Sequence, residues 1–290
     1  MQKNTFYRPI TATPFRKERS YTELAPCAAL RNVVCCFWGS ETPYLYDRAV
    51  HKPEQLVIPD TCVDIIYTID YTDNKIFGGF CGINDKSFYA YEDDRTGHLV
   101  SKFAIRFFAW TAYKFAEDSF KNTLNGYFDV LSRFQWLDVE LKKRLFDLKT
   151  IQDRAKFAQG LMLNKLDGVR ENRLLDEAIH TMIDKNASYN MVELAANLFI
   201  STRQLERIFR EYAGVSPKRL SSLIRYQMLW KEILMTDSID IFEAVYKYGF
   251  TDQSHLMREF KRFHTMNIGN AKNFALENVA NVQDRKGVGC

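Results

Sequence analysis

Between residues 31 and 110 the apolar positions fall in short runs: Val33–Trp38, Gln55–Ile58, Val63–Ile69, Lys75–Cys81, Phe88–Tyr91 and Leu99–Phe108. Val, Ile, Phe and Tyr dominate them, and Pro59-Asp60, Asp73-Asn74, Gly82 with Asn84-Asp85, and Asp93-Asp94 with Thr96-Gly97 separate them. Short strands at roughly ten-residue spacing predict a small β-barrel or sandwich. After Trp110 the period lengthens to three or four, through Leu137, Leu141, Leu145 and Leu148 and on through Ile151, Ala155, Ala158, Met162 and Leu166, which predicts a helical tail. Gly168 interrupts that stripe, and the text beyond it is almost purely helical, with helices expected at 171–185, 190–198, 201–212, 217–235, 239–248, 252–263 and 267–276. The expected fold class is α+β with two domains: residues 1–168 (β-unit 31–110, helices 111–167), residues 169–276 all-α, and a tail at 277–290.

Caps punctuate the second half. Asn190 with Glu193 and Ser201 with Gln204 have capping-box spacing. Ser216-Pro217 sets a cap before a proline at the first helical position, and Gly214 and Gly249 sit where left-handed C-terminal caps are wanted. Leu205–Arg210 and Leu256–Lys261 repeat the pattern Leu-x-Arg-x-Phe-basic, each after a shorter helix and a tight turn, so two helix-turn-helix units are expected in one chain. In the first, Leu205, Ile208, Phe209 and Tyr212 form the face to be buried, and Arg203, Glu206, Arg207 and Arg210 project oppositely. In the second, Leu256, Met257, Phe260 and Phe263 are assigned to the core, leaving Ser254, His255, Arg258, Lys261 and Arg262 outward. Arginine addresses guanine bidentately in the major groove, and lysine or arginine near a helix end neutralises phosphate. A solvated surface with incidental salt bridges is the alternative for each stripe, and Arg207 and Arg258 have acidic neighbours in Glu193 and Glu243 with which to pair. The connecting helix 217–235 has 19 residues and is about 29 Å long, close to the ~34 Å of one DNA turn.

Composition adds mostly exclusions. The chain of 290 residues is 46% hydrophobic and 26% charged, enough for full cores, and 40 Lys+Arg against 36 Asp+Glu leaves a net charge of only +4. Residues 186–275 carry 12 basic and 9 acidic residues, so affinity for DNA has to come from placement rather than bulk charge. There is no run of 18 apolar residues and no signal-like start, so a cytosolic protein without a membrane partner is expected. Cys27, Cys35, Cys36, Cys62, Cys81 and Cys290 include no C-x-x-C pair and read as reduced, mostly buried thiols, with a redox role for Cys35-Cys36 left open. The five histidines form no metal face and no triad, so neither a cofactor, a metal nor a catalytic site is expected.

At this point the residues resemble a known family. Ala195-Ala196-x-Leu198, then Ser201-Thr202-Arg203-x-Leu205-x-Arg207-x-Phe209-Arg210-Glu211-x-x-Gly214-x-Ser216-Pro217-Lys218, and later Gly249-Phe250-Thr251-Asp252-Gln253-Ser254-His255-Leu256-x-Arg258-Glu259-Phe260-Lys261-Arg262 are similar to the AraC/XylS family of bacterial transcription regulators. The resemblance covers about 170–275. It implies a domain whose third and sixth helices read adjacent major grooves of double-stranded DNA, with base-reading positions at Arg203, Glu206, Arg207, Ser254, His255 and Arg258. Ser201, Arg210, Lys218, Lys261 and Arg262 are the phosphate candidates. One departure stands out: His264-Thr265-Met266-Asn267-Ile268 stands where the family usually has Gly-x-(Ser/Thr)-Pro.

Val57–Ile66 and Lys102–Phe108 resemble the cupin-like sensor barrel often placed ahead of this module, which implies effector binding or dimerisation. Activation, with RNA polymerase as partner, is the family's commoner mode. The alternative is a barrel that answers to a protein partner and binds no small molecule. Phe77, Phe80, Phe88, Tyr89, Phe103, Phe107 and Trp110 line an apolar pocket or simply fill the core, with no ligand class indicated. The stripe Ile151, Ala155, Ala158, Met162 and Leu166 is a dimer seam or packs on its own barrel.

Overall fold

In the computed structural model, residues 7–10, 21–47, 55–90 and 95–278 are described. Nine strands, β1 (Thr22–Leu24), β2 (Val34–Gly39), β3 (Tyr44–Leu45), β4 (Gln55–Val57), β5 (Cys62–Asp70), β6 (Lys75–Cys81), β7 (Phe88–Ala90), β8 (Leu99–Phe108) and β9 (Tyr127–Asp129), precede nine helices among these residues. The helices are α1 (Leu131–Lys142), α2 (Ile151–Lys165), α3 (Arg173–Asp184), α4 (Met191–Asn197), α5 (Thr202–Ala213), α6 (Pro217–Met235), α7 (Ile241–Lys247), α8 (Gln253–His264) and α9 (Ile268–Asn278). The expected strands and helices are therefore present, most within two residues of their expected ends.

Seven strands form one antiparallel sheet in the order β1-β2-β8-β5-β6-β9, with β3 also on β8, while β4 and β7 pair separately. The period of two separates its faces. Val63, Ile65, Tyr67 and Ile69 of β5 are buried, as are Phe103, Ile105 and Phe107 of β8, whereas Asp64, Ile66 and Thr68 are only partly covered. Phe134 of α1 closes the aromatic face, 6.1 Å from the Phe107 ring and 5.5 Å from Phe80. Phe80, Phe103 and Phe107 are thus core; Phe77 is 44% exposed, with the Arg95 guanidinium over its ring at 4.3 Å.

The α2 stripe is spent within the chain. Ile151, Ala155, Ala158 and Met162 are buried in its own core and Leu166 is partly covered, so this stripe packs on the chain's own barrel. Arg154, fully buried beside them, anchors the helix by donating to the Leu148 carbonyl, Tyr71 Oη and Ser101 Oγ at 2.7–2.9 Å.

In the helical part, Ser201 and Gln204 complete the capping box, and Asn190 caps α4 by accepting from Val192 N. Ser216 caps α6 ahead of Pro217. Gly214 ends α5 with φ +76°, and a Cβ there would lie 2.8 Å from the Phe120 carbonyl oxygen, so the residue serves both the left-handed cap and the approach of a neighbouring segment. Phe199, in the first tight turn, takes φ +55° although it has a side chain, and that side chain is 97% exposed. Thr265 holds φ +63° at the end of α8, where the family pattern has glycine, and Asn267 Oδ1 then caps α9 by accepting from Asn270 N.

These backbone positions predict opposite outcomes. Phe199→Gly removes a left-handed penalty without costing any packing and raises the unfolding free energy by about 0.5–1 kcal/mol in urea titration. Gly214→Ala lowers it by about 2 kcal/mol or more.

Candidate DNA interface

Each recognition element is held from behind. On α5, Leu205, Ile208, Phe209 and Ala213 are buried, and Arg203, Arg207 and Arg210 are exposed with Glu206 half-buried beside them. On α8, Leu256, Phe260 and Phe263 are buried, while Ser254, Arg258, Lys261 and Arg262 are exposed. Met257 departs from the expected core set, being 40% exposed: helical spacing puts it at the border of the apolar stripe, one residue past Leu256. Ser201 and Lys218 are exposed at the starts of α5 and α6.

Among the described residues, no ion pair engages Arg203, Arg207, Arg258, Lys218, Lys261 or Arg262, so Glu193 and Glu243 do not brace the two repeat arginines. Arg210 Nε donates to Glu206 Oε2 at 3.3 Å, an exposed pair that DNA phosphate competes with at little cost. His255 is the most constrained member of the second stripe. Its Nδ1 accepts from Thr251 N at 3.2 Å, Nε2 lies 3.7 Å from Glu259 Oε2, and its ring meets Phe250 edge-on at 5.4 Å.

An ion pair that sequence reasoning missed fixes the second unit. Arg225 of α6 donates from Nε and Nη2 to Glu259 Oε1 of α8 at 3.0 and 2.7 Å, and its guanidinium covers the Phe250 ring at 4.5 Å. The two residues lie 34 positions apart on separate helices, so local periodicity does not pair them. His264, at the end of α8, is 1% exposed, stacks on Phe260 and shares a 2.7 Å hydrogen bond with Tyr226 Oη. Burial depresses its pKa to about 4.

The sheet-rich part grips these helices away from both stripes. Tyr113 meets Tyr212 of α5 edge-on at 4.8 Å, Phe120 N donates to the Glu211 carbonyl at 2.8 Å, and Lys121 pairs with Glu211. Arg219 of α6 pairs with Asp85 at 3.1 Å. Ser87 donates from N and Oγ to the Phe263 carbonyl, satisfying one of the last acceptors of α8. Gln227 of α6, 1% exposed, donates to the Pro59 carbonyl at 2.6 Å and accepts from Ile10 N at 2.8 Å.

Outside this interface, Asp70, Asp73 and His98 offer ligand atoms within 4.8 Å of one another. Asp70 is already committed: Oδ1 accepts from Thr72 N and Asp73 N, and Oδ2 meets Arg95 Nη1 and His98 Nδ1, so the cluster reads as a locked turn. Cys35, Cys36 and Cys62 are buried free thiols, with burial contributing to a raised pKa in each. No helix of the described residues is long and apolar enough to cross a membrane.

Residues 194–273 match a helix-turn-helix domain family, and residues 22–128 match a family described as Domain of unknown function (DUF6597). No curated protein matches the chain. Among solved structures, the chain is similar to a transcriptional regulator of Chromobacterium violaceum described by its AraC-type DNA-binding domain, at 21% identity and TM-score 0.32 over 35% of this chain and 91% of that one. It is similar to a DNA-binding transcriptional dual regulator of Escherichia coli K-12, at 17% identity and TM-score 0.32 over 37% and 96%. ToxT of Vibrio cholerae O395 aligns at 10% identity and TM-score 0.39 over 85% and 99%. The domain match falls on the two helix-turn-helix units, so the C-terminal part is a helix-turn-helix DNA-binding domain.

The His264 environment predicts a pH effect of defined sign. Its folded pKa lies below the ordinary 6.5, so its contribution is complete above pH 6.5 and is lost as pH falls through 4, up to about 3 kcal/mol. Asp60, pushed up to about 6 by burial, acts in the opposite sense over much of the same window. The measurement is therefore a difference: the stability advantage of the wild type over His264→Gln shrinks between pH 6.5 and 4 in chemical denaturation.

Proposed function

We propose that this protein is a sequence-specific transcription activator whose helices α5 and α8 enter adjacent major grooves of double-stranded DNA. Arg203, Glu206 and Arg207 read bases in one groove and Ser254, His255 and Arg258 in the next, with Ser201, Arg210, Lys218, Lys261 and Arg262 on phosphates. The observation that carries this reading is that Arg203, Arg207, Arg258, Lys261 and Arg262 are exposed without ion-pair partners among the described residues, on the two helices that pack against α6, while the sheet-rich part holds the same helices from elsewhere. A helix of 19 residues, about 29 Å, spaces them for one face of a duplex. Residues 1–168 act as the sensing domain: an effector there shifts how the gripped helices are presented, and RNA polymerase is the downstream partner.

Arg203→Ala and Arg258→Ala each lose more than about 1 kcal/mol of affinity for the selected operator but little for random DNA, measured by fluorescence anisotropy. Lys261→Ala weakens both alike and lowers the salt slope by about one. Loss of less than that from both arginine variants refutes the base-reading assignment.

A further inference from the structure

Two matching apolar stripes stand exposed on the DNA-binding half. Helices α4 and α7, the first helices of the two helix-turn-helix units, correspond residue for residue. Asn190 and Asp240 cap them, accepting from Val192 N and Phe242 N at 2.8 Å. Each is followed by a left-handed residue, Phe199 with φ +55° and Gly249 with φ +65°, whose N–H donates to the carbonyl of Ala196 or Tyr246. Positions i, i+4 and i+7 share one helix face. On α4 that face carries Val192, Ala196 and Phe199, and on α7 Phe242, Tyr246 and Gly249, all six exposed. Tyr246, at 91%, is almost as bare as Phe199. Large apolar side chains presented in line on a surface mark an interaction site. Phe199 also keeps a left-handed backbone that its counterpart relieves with glycine, a cost that no packing within the chain repays.

We propose that the stripes are the two halves of one contact between successive copies of this chain, with α4 of one copy seated antiparallel on α7 of the next. In that register Ala196 lies against Tyr246 and Val192 against Gly249, a small residue facing a larger one at each level, and Phe199 pairs with Phe242 at the third. The polar edges match in the same register. Glu193 and Asn197 flank the stripe on α4, Glu243 and Lys247 flank it on α7, and all four are exposed. Antiparallel packing joins these two edges and sets Glu193 against Lys247 and Asn197 against Glu243. Lys247 holds Glu232 at 2.7 Å and is still 43% exposed. Pairing α7 with itself instead sets Tyr246 on Tyr246 and leaves the α4 stripe bare. Each helix has seven residues and is about 10 Å long, too short to bury the ~1,200 Å² of a stable interface. The contact therefore acts between chains already bound side by side, where tethering raises the local concentration. On the reading of α5 and α8 as groove-reading helices, on which this inference rests, sites repeated in the same orientation bring the second unit of one copy beside the first unit of the next. That is the head-to-tail pairing the two stripes require.

The test compares binding of the full chain to duplexes carrying one selected site, two in direct repeat or two inverted, with the spacing varied in single base pairs through one helical turn. At one direct-repeat spacing the second chain is expected to bind roughly tenfold more tightly than the first, with no such gain on inverted sites. Ala196→Tyr, which opposes two large rings, and Tyr246→Ala, which leaves a hollow, each remove that gain without changing affinity for the single site. The double variant exchanges bump and hollow between the stripes and restores the gain. Phe199→Gly lowers the gain severalfold although it stabilises the free chain, which separates the contact from any loss of folding. Absence of the gain at every direct-repeat spacing, or a double variant no better than the single ones, overturns the contact. A chain that binds no site removes the groove-reading assignment, and the contact is then decided without DNA. Sedimentation equilibrium at millimolar chain is expected to show weak self-association that Tyr246→Glu abolishes, and a strictly monomeric wild type there overturns it.

Discussion

Everything in the DNA-binding half depends on the burial of α6. Leu220, Leu223, Ile224, Tyr226, Gln227, Leu229, Trp230, Ile233 and Leu234 are all buried, so the helix is covered on several sides rather than along one stripe. It packs against α3, α5, α8 and α9 and also receives the sheet-rich part through Pro59 and Asp85. Arg225 adds a charged clasp to α8 that is costly to break from one side only. Neither helix-turn-helix unit is free to reorient without repacking this rod.

That constraint gives the modest charge of the chain its meaning. A net +4 spread over 290 residues attracts DNA weakly, and affinity has to be generated by arginines held in fixed register. The contacts from the sheet-rich part fall at the C-terminal ends of α5 and α8, on Glu211, Tyr212 and Phe263, leaving the arginine stripes exposed. The sheet-rich part thus touches both α5 and α8 without covering either exposed stripe.

Most of the secondary structure was legible because it is written locally. Periods of two and of three to four, together with the caps at Asn190, Ser201 and Ser216, located β5, β8, α5 and α6 closely. Long-range polar contacts were not. Gln227 sits among apolar helix positions with partners 168 and 217 residues away, and Asp60 looks like an ordinary turn residue until its burial beside Arg106 is seen. The stripe on α2 was legible as apolar, yet sequence alone did not distinguish a seam between copies from a seat on the chain's own sheet. Likewise Phe199 and Thr265 carry no sign of left-handed backbone, since the geometry comes from the turns that enclose them.

Hydroxyl-radical footprinting of the full chain on its selected operator tests the account most directly. The rigid α6 predicts two protected patches on one face of the duplex, centred about one helical turn, ~34 Å, apart, from a single bound chain. A single patch, or two patches on opposite faces, would contradict it.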